Sequence, residues 1–186
     1  MSHWSPEEAA YHELCGYTLT HGDPRFIHQH VVDTHAAQTP LPGEKPIRQV
    51  FALVVLYLHL ERGRTGREAQ LAHIQMAKRK REWPQLARPH ECGALTAIDV
   101  MQQPPGPERD AAIDQWCASV WSAYAAVRPQ IISLLAQNGN SSLMTEWEEI
   151  QKSETPSNQQ NFLFYALKKV QQTKEGKFMN QAQAEM

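Results

Sequence analysis

Pro46-Ile-Arg-Gln-Val50-Phe51-Ala-Leu53-Val54-Val55-Leu56-Tyr57-Leu58-His59-Leu-Glu61-Arg62-Gly63 is the stretch that decides the fold. Ile47, Val50, Phe51, Val54 and Leu58 recur at helical spacing, and Leu53, Val55, Leu56 and Tyr57 fill much of the rest. The β-branched residues also allow a strand. The length and the opening proline favour a helix, and Gly63 stops it. A helix apolar nearly all round belongs at the centre of an assembly of helices.

The flanking sequence carries helix starts and stops in the same style. Ser5-Pro6-Glu7-Glu8 reads as an N-cap, a proline at the first helical position and first-turn acids, opening about fifteen residues that stop near Gly22. Asp23-Pro24 repeats the signal, and a second helix is expected from Pro24 to about Gln38 before the Pro40-Leu-Pro-Gly43 loop. Thr65-Gly-Arg-Glu68 is a capping box for a fourth helix ending in Lys78-Arg-Lys-Arg81. Residues 84–95 read as a loop. Thr96-Ala-Ile-Asp99 opens a short helix closed by Pro104-Pro-Gly-Pro107. A longer helix follows from about Glu108 to Val127, striped by Ile113, Trp116, Cys117, Val120, Trp121 and Tyr124, and Ile131–Leu135 adds a further turn. Beyond a linker at 137–142, two weaker helices are expected at 143–152 and 158–172. The class is all-α: a helical bundle core over 1–137 and a short helical appendage over 138–186.

Composition narrows the function classes. The net charge is −2, which gives no global attraction to nucleic acid or membrane, but its spread is uneven: residues 1–61 carry −4, residues 62–88 carry +6 and the remainder −4. Cys15, Cys92 and Cys117 are far apart and form no CxxC pair, so neither a disulfide framework nor a thiolate zinc site is indicated. The first residues lack a secretory signal, and the longest apolar run is too short to span a bilayer. A soluble cytoplasmic protein is expected.

All nine histidines lie between residues 3 and 90. Three fall in Phe26-Ile-His28-Gln-His30-Val-Val-Asp33-Thr-His35, a mixture suited to a divalent metal ion, since neutral imidazole and carboxylate both ligate Fe, Mn or Zn. On a helical wheel His30 and Asp33 stand about 60° apart, and His28 and His35 about 20° apart but two turns distant. His30 and Asp33 are therefore the expected pair on one ion. His59 and His73 are expected to complete the set, His12 is a weaker candidate, and Glu61 and Glu13 are possible carboxylate partners. Against this stands the alternative that the histidines are hydrogen-bonded core residues.

Arg64 and Arg67, in a glycine-flanked turn before a helix, suit an anionic substrate group. The basic run Lys78–Arg81 could face nucleic acid or an acidic partner, although cations commonly complement a helix C-terminus, and nucleic acid is the weaker expectation. Trp116, Trp121 and Tyr124 are expected in the core rather than around a ligand. Cys15, one turn from His12, lacks the third group that a nucleophile needs. Two functions are therefore in view: a metal-dependent enzyme acting on a small anionic molecule, and a binding module without chemistry.

Several strings, in order, carry a resemblance: Tyr11-His-Glu-Leu-Cys-Gly-Tyr-Thr-Leu19, Asp23-Pro24, Phe26 to Asp33, Ala37-Gln38, Leu58-His-Leu-Glu-Arg-Gly63 with Thr65-Gly-Arg67, Gly93-Ala-Leu-Thr96, Asp99-Val100, Pro104 to Arg109, and Trp116-Cys-Ala-Ser-Val-Trp121. Over roughly residues 10–136 the chain resembles an uncharacterised bacterial family catalogued as a domain of unknown function. That resemblance implies one core domain and brings no activity. Size and histidine content are also similar, at fold level only, to the DinB-like metal-binding bundles. Those place two ligands as HxxxH on a late helix, a string absent here.

Overall fold

The computed structural model describes residues 4–78 and 82–137, all within a unit spanning Met1–Asn140. Among them are seven α-helices, one 3-10 turn and no strand, an all-α bundle. The expected helices at 143–152 and 158–172, like Arg79–Arg81, lie outside the described residues.

Ser5 caps α1 (Pro6–Thr20) through a complete capping box with Glu8. Helix α2 (His28–Gln38) begins four residues later than its proline suggested. Asp23 is the reason: its carboxylate accepts the Arg25 N–H (2.8 Å) and the Ile27 N–H (3.3 Å), closing a turn before the helix starts. Within this turn Phe26 takes φ 55°, the one positive φ of a non-glycine residue among those described.

Helix α3 (Pro46–Arg62) is the expected centre. It packs against α2 and against the later helices Gly66–Lys78, Pro107–Ala123 and Arg128–Gln137, and Val50 and Ala52 through Leu56 are fully buried. Each such side chain removed from water contributes about 1.5–3 kcal/mol for Val or Leu, so the centre of α3 is a large apolar contribution to the core. Gly63 ends it in the left-handed conformation that glycine adopts without a Cβ penalty.

Helix α4 (Gly66–Lys78) follows, and Thr65 and Glu68 form the expected capping box. The next helix, α5 (Ala97–Met101), is capped by Thr96 and Asp99. Helix α6 (Pro107–Ala123) stops four residues short of the expected Val127; a 3-10 turn over Ala125–Val127 then leads into α7 (Arg128–Gln137). Trp116, Cys117 and Tyr124 are buried, as their spacing predicted, and Trp121 is 8% exposed.

The 84–95 loop is held by side chains from two helices. The Gln38 amide donates to the carbonyls of Leu95 (2.7 Å) and Cys92 (3.3 Å), while its oxygen accepts the Trp116 indole N–H (2.9 Å). Ser119 Oγ accepts the backbone N–H of Ala94 and of Leu95. Arg88 donates to the Ala37 carbonyl (2.6 Å) and pairs with Glu44 (2.7 Å). Among the described residues no helix is long and apolar enough to cross a membrane.

Candidate functional site

The turn at 21–27, the start of α2, the C-terminal end of α3 and the first half of α6 enclose a pocket of about 440 Å³. Its walls carry His21, Asp23, Arg25, Ile27, His30, His59, Asp110 and Asp114. Three imidazoles, three carboxylates and one guanidinium thus meet in one cleft.

The best-defined pair is His59 with Asp114: His59 Nε2–H donates to Asp114 Oδ1 at 2.8 Å. That hydrogen bond, together with the His59 charge, holds the Asp114 carboxyl below the ordinary aspartate range. His59 Nδ1 lies 3.4 Å from the Arg64 carbonyl oxygen, so an acceptor flanks each ring nitrogen. The pair is asymmetric in access, with side-chain exposures of 11% for His59 and 52% for Asp114.

His30 stacks on His59, ring centroids 3.8 Å apart, and its Nδ1 is buried without a hydrogen-bond partner. Burial, then the neighbouring His59 charge, pushes its imidazole down to about 3, so it is neutral at physiological pH. One turn before Asp114, Asp110 Oδ1 accepts the Tyr17 hydroxyl (2.8 Å) and Oδ2 lies 4.0 Å from His21 Nε2.

The four residues expected to share a metal are divided. His30 and His59 meet at the pocket. Asp33, one turn along α2, is buried, and its Oδ2 accepts the Gln29 amide N–H at 2.6 Å. Desolvation raises its carboxyl pKa, and His73 is the leading charge acting against that rise. His73 stacks on Phe51 and its Nε2 lies 3.1 Å from the Phe51 carbonyl oxygen. Among the described residues no group of three or more His, Cys, Asp or Glu side chains is arranged to hold a metal ion.

The other candidates are placed as follows. Arg64 pairs with Glu68 (2.9 Å) and Arg67 donates to Gln70 (3.3 Å), whereas the guanidinium on the pocket wall is Arg25. Glu61 accepts from Trp121 and Arg128. His12 stacks on Trp4, and His35 stacks on Tyr11. His28 Nδ1 meets the Thr18 hydroxyl at 2.9 Å. Burial pushes the Cys15 thiol up to about 11, far from a ready thiolate.

Asp114 and Asp110 escaped the sequence reading. The available signal was positional: on a wheel Asp110 falls about 20° from Cys117, and Asp114 about 20° from Trp121, so both acids extend the buried stripe of α6. A carboxylate in line with core residues requires a partner from the facing helix, and His59 provides one for Asp114.

Residues 8–125 match a family of unknown function (DUF5946), and residues 118–186 match a second family of unknown function (DUF6909). The first match covers more than half of the chain, which therefore belongs to that family. No curated protein and no solved structure matches the chain.

Proposed function

We propose that the pocket is the working site of an enzyme acting on a small polar molecule by proton transfer, with the His59–Asp114 pair at its centre. The observation that carries this reading is the 2.8 Å hydrogen bond between the two on the wall of a 440 Å³ pocket. Asp114 is the accessible member: its second oxygen is available to accept a proton from a bound molecule. His59 opposite it donates to the first oxygen and fixes the orientation of the carboxylate. The hydrogen bond from the imidazole keeps this carboxylate ionised and positioned to receive a proton, as a weak base. Neutral His30, stacked on His59, lowers the polarity of the wall behind the pair and keeps water from the ring face.

The test is a comparison of wild type with His59→Gln and Asp114→Asn, each incubated with a small-metabolite extract and followed by mass spectrometry. Conversions present with wild type and absent with both variants, at unchanged circular dichroism, are expected. Equal conversion by all three proteins, or none by any, refutes the reading.

A second proposal keeps a divalent ion (Fe, Mn or Zn) at the same pocket, with His30, His59 and Asp114 turning to become its donors, since as they stand no three such side chains among the described residues are arranged to hold an ion. What favours it is that these three line one cleft and that His30 Nδ1 is unpartnered. Elemental analysis of untagged wild type beside His30→Ala tests it; less than about one-tenth of an equivalent in both refutes it. A cytoplasmic setting accords with either reading, since Cys15, Cys92 and Cys117 are all free thiols.

A further inference from the structure

We propose that residues 23–25 form a lid over this pocket, swinging between hinges at Gly22 and Phe26. Such a lid governs entry to the pocket, whatever chemistry takes place inside.

The first support is where the backbone is strained. Phe26 takes φ 55°, in the left-handed region that a bulky side chain rarely adopts. Strain of this kind persists only where the surroundings impose it, and it gathers at ligand clamps and moving segments. At the other end Gly22 takes φ 64°, where glycine bears no such penalty, and nothing lies within 4 Å of a Cβ built on it. One end of the segment is thus free to turn, and the other is relieved by turning.

The second is the hydrogen bonding on either side of the Phe26 N–Cα bond. Upstream, Asp23 holds the segment to itself: its carboxylate accepts the Arg25 N–H at 2.8 Å and its carbonyl accepts the Phe26 N–H at 3.0 Å. Downstream, the Phe26 carbonyl accepts the Gln29 N–H at 3.1 Å and is seated against Gly66, where no Cβ would fit. Rotation about that one bond, taken up at Gly22, disturbs neither group. Among the described residues it breaks two hydrogen bonds, Ile27 N–H to Asp23 Oδ2 (3.3 Å) and Arg67 N–H to the Arg25 carbonyl (3.4 Å). Both are longer than the ordinary range of about 2.7–3.2 Å, so both are weak.

The third is position. Gly22, Asp23, Pro24 and Arg25 all line the pocket, and Pro24 and Arg25 are exposed, so no packed core has to part for them to move. His59 and Asp114 line it from helices that the rotation leaves in place. Lifting the lid carries the Arg25 guanidinium, whose charge acts on Asp114, away from that carboxylate and widens the mouth. Motions of this kind fall in the microsecond-to-millisecond range, with an open minor form of about 0.1–10%.

The experiment is amide nitrogen relaxation dispersion on the full chain. It is read at Gly22, Asp23, Arg25 and Arg67, at His59 and Asp114 across the pocket, and at Val54 in the core. One shared exchange rate is expected for the lid and pocket amides, with none at Val54. Phe26→Ala and Phe26→Gly test the hinge, since they remove the same ring and differ in the cost of a positive φ. The open population is expected to be about 5–30-fold lower in Phe26→Gly than in Phe26→Ala. The inference is overturned by flat dispersion at the lid amides, by the same exchange at Val54, or by equal open populations in the two variants. Lid exchange that His59 and Asp114 do not share also overturns it, because the motion would then be apart from the pocket. No substrate enters the measurement. Conversion by wild type with flat dispersion removes the lid and leaves the proton-transfer reading; lid exchange without conversion does the reverse.

Discussion

Gly66 is the point at which the pocket turn is clamped, and a single methyl group there tests the whole arrangement. A Cβ on Gly66 would lie 1.9 Å from the Phe26 carbonyl oxygen, 2.8 Å from its carbonyl carbon and 3.1 Å from Gln29 Cβ. To reach even the 3.0 Å limit of real Cβ contacts, the Phe26 carbonyl must retreat by about 1.1 Å. The obstacle is backbone, not a side-chain tip that swings aside. That backbone belongs to a residue already at φ 55°, where a non-glycine residue is held at a cost of about 1–2 kcal/mol by its surroundings. The Arg67 N–H to Arg25 carbonyl bond, 3.4 Å, crosses the same junction and would be lost with it. Overpacking of about 1–3 kcal/mol plus that bond gives a destabilisation of about 2–4 kcal/mol for Gly66→Ala. For a domain of this size the melting temperature falls by about 6–12 °C. Gly16→Ala is the control: Gly16 lies on the exposed side of α1 with nothing within 4 Å of a built Cβ. There the same substitution stabilises by up to about 1 kcal/mol through helix propensity. Differential scanning calorimetry of both variants decides the matter. A Gly66→Ala protein melting within about 2 °C of wild type would refute the clamp.

Three further outcomes follow from the geometry. Acidification is expected to weaken the fold from about pH 6.5 downward: burial holds His28 at about 4, His30 at about 3 and His35 at about 4, so the unfolded chain takes up protons that the folded chain refuses. Asp33, whose carboxyl burial pushes up, acts with the opposite sign, so urea midpoints between pH 7.5 and 5 report the sum; a flat profile would contradict the burial of these rings. Trp116→Phe strands the Gln38 oxygen and leaves a small void, a loss of about 2–3 kcal/mol measurable by chemical denaturation. Arg88→Met removes two hydrogen bonds to α2 and Glu44 and is expected to cost about 1–2 kcal/mol, with faster amide exchange confined to residues 84–95; uniform exchange across the bundle would show the loop is not a separate unit.

Helix boundaries were legible where the determinant is local. Ser5 with Glu8, Thr65 with Glu68 and Thr96 with Asp99 all form the capping contacts their spacing implied. The start of α2 departs from the proline signal because Asp23 uses both carboxylate oxygens to close a turn, which leaves Pro24 outside the helix. Its competitor was the ordinary reading of proline as a first helical residue. The end of α6 falls short of Val127 where Tyr124 hydrogen-bonds the Ala37 carbonyl at 2.8 Å, a tertiary contact 87 positions distant. The site was half legible. His30 and His59 were singled out and do meet, but wheel geometry gives direction without naming the facing helix. The three-residue offset between His30 and Asp33 points one at α3 and α6, while the other closes on Gln29 within its own helix. Asp114 was missed because its partner lies on α3, 55 positions earlier.

The tethered 84–95 segment has a consequence for where this chain tolerates added sequence. A stretch of that length without secondary structure is ordinarily the place where insertions accumulate and where a tag or a foreign domain is grafted. Here its carbonyls and N–H groups are received by Gln38 and Ser119, and a Cβ added at Gly93 would lie 3.0 Å from the backbone of Val120. Lengthening it would detach three anchors at once. The exposed Leu41-Pro42-Gly43 tip, which stops short of the Glu44 carboxylate that Arg88 binds, is the better graft point, and sequence length variation within the family is expected to collect there instead.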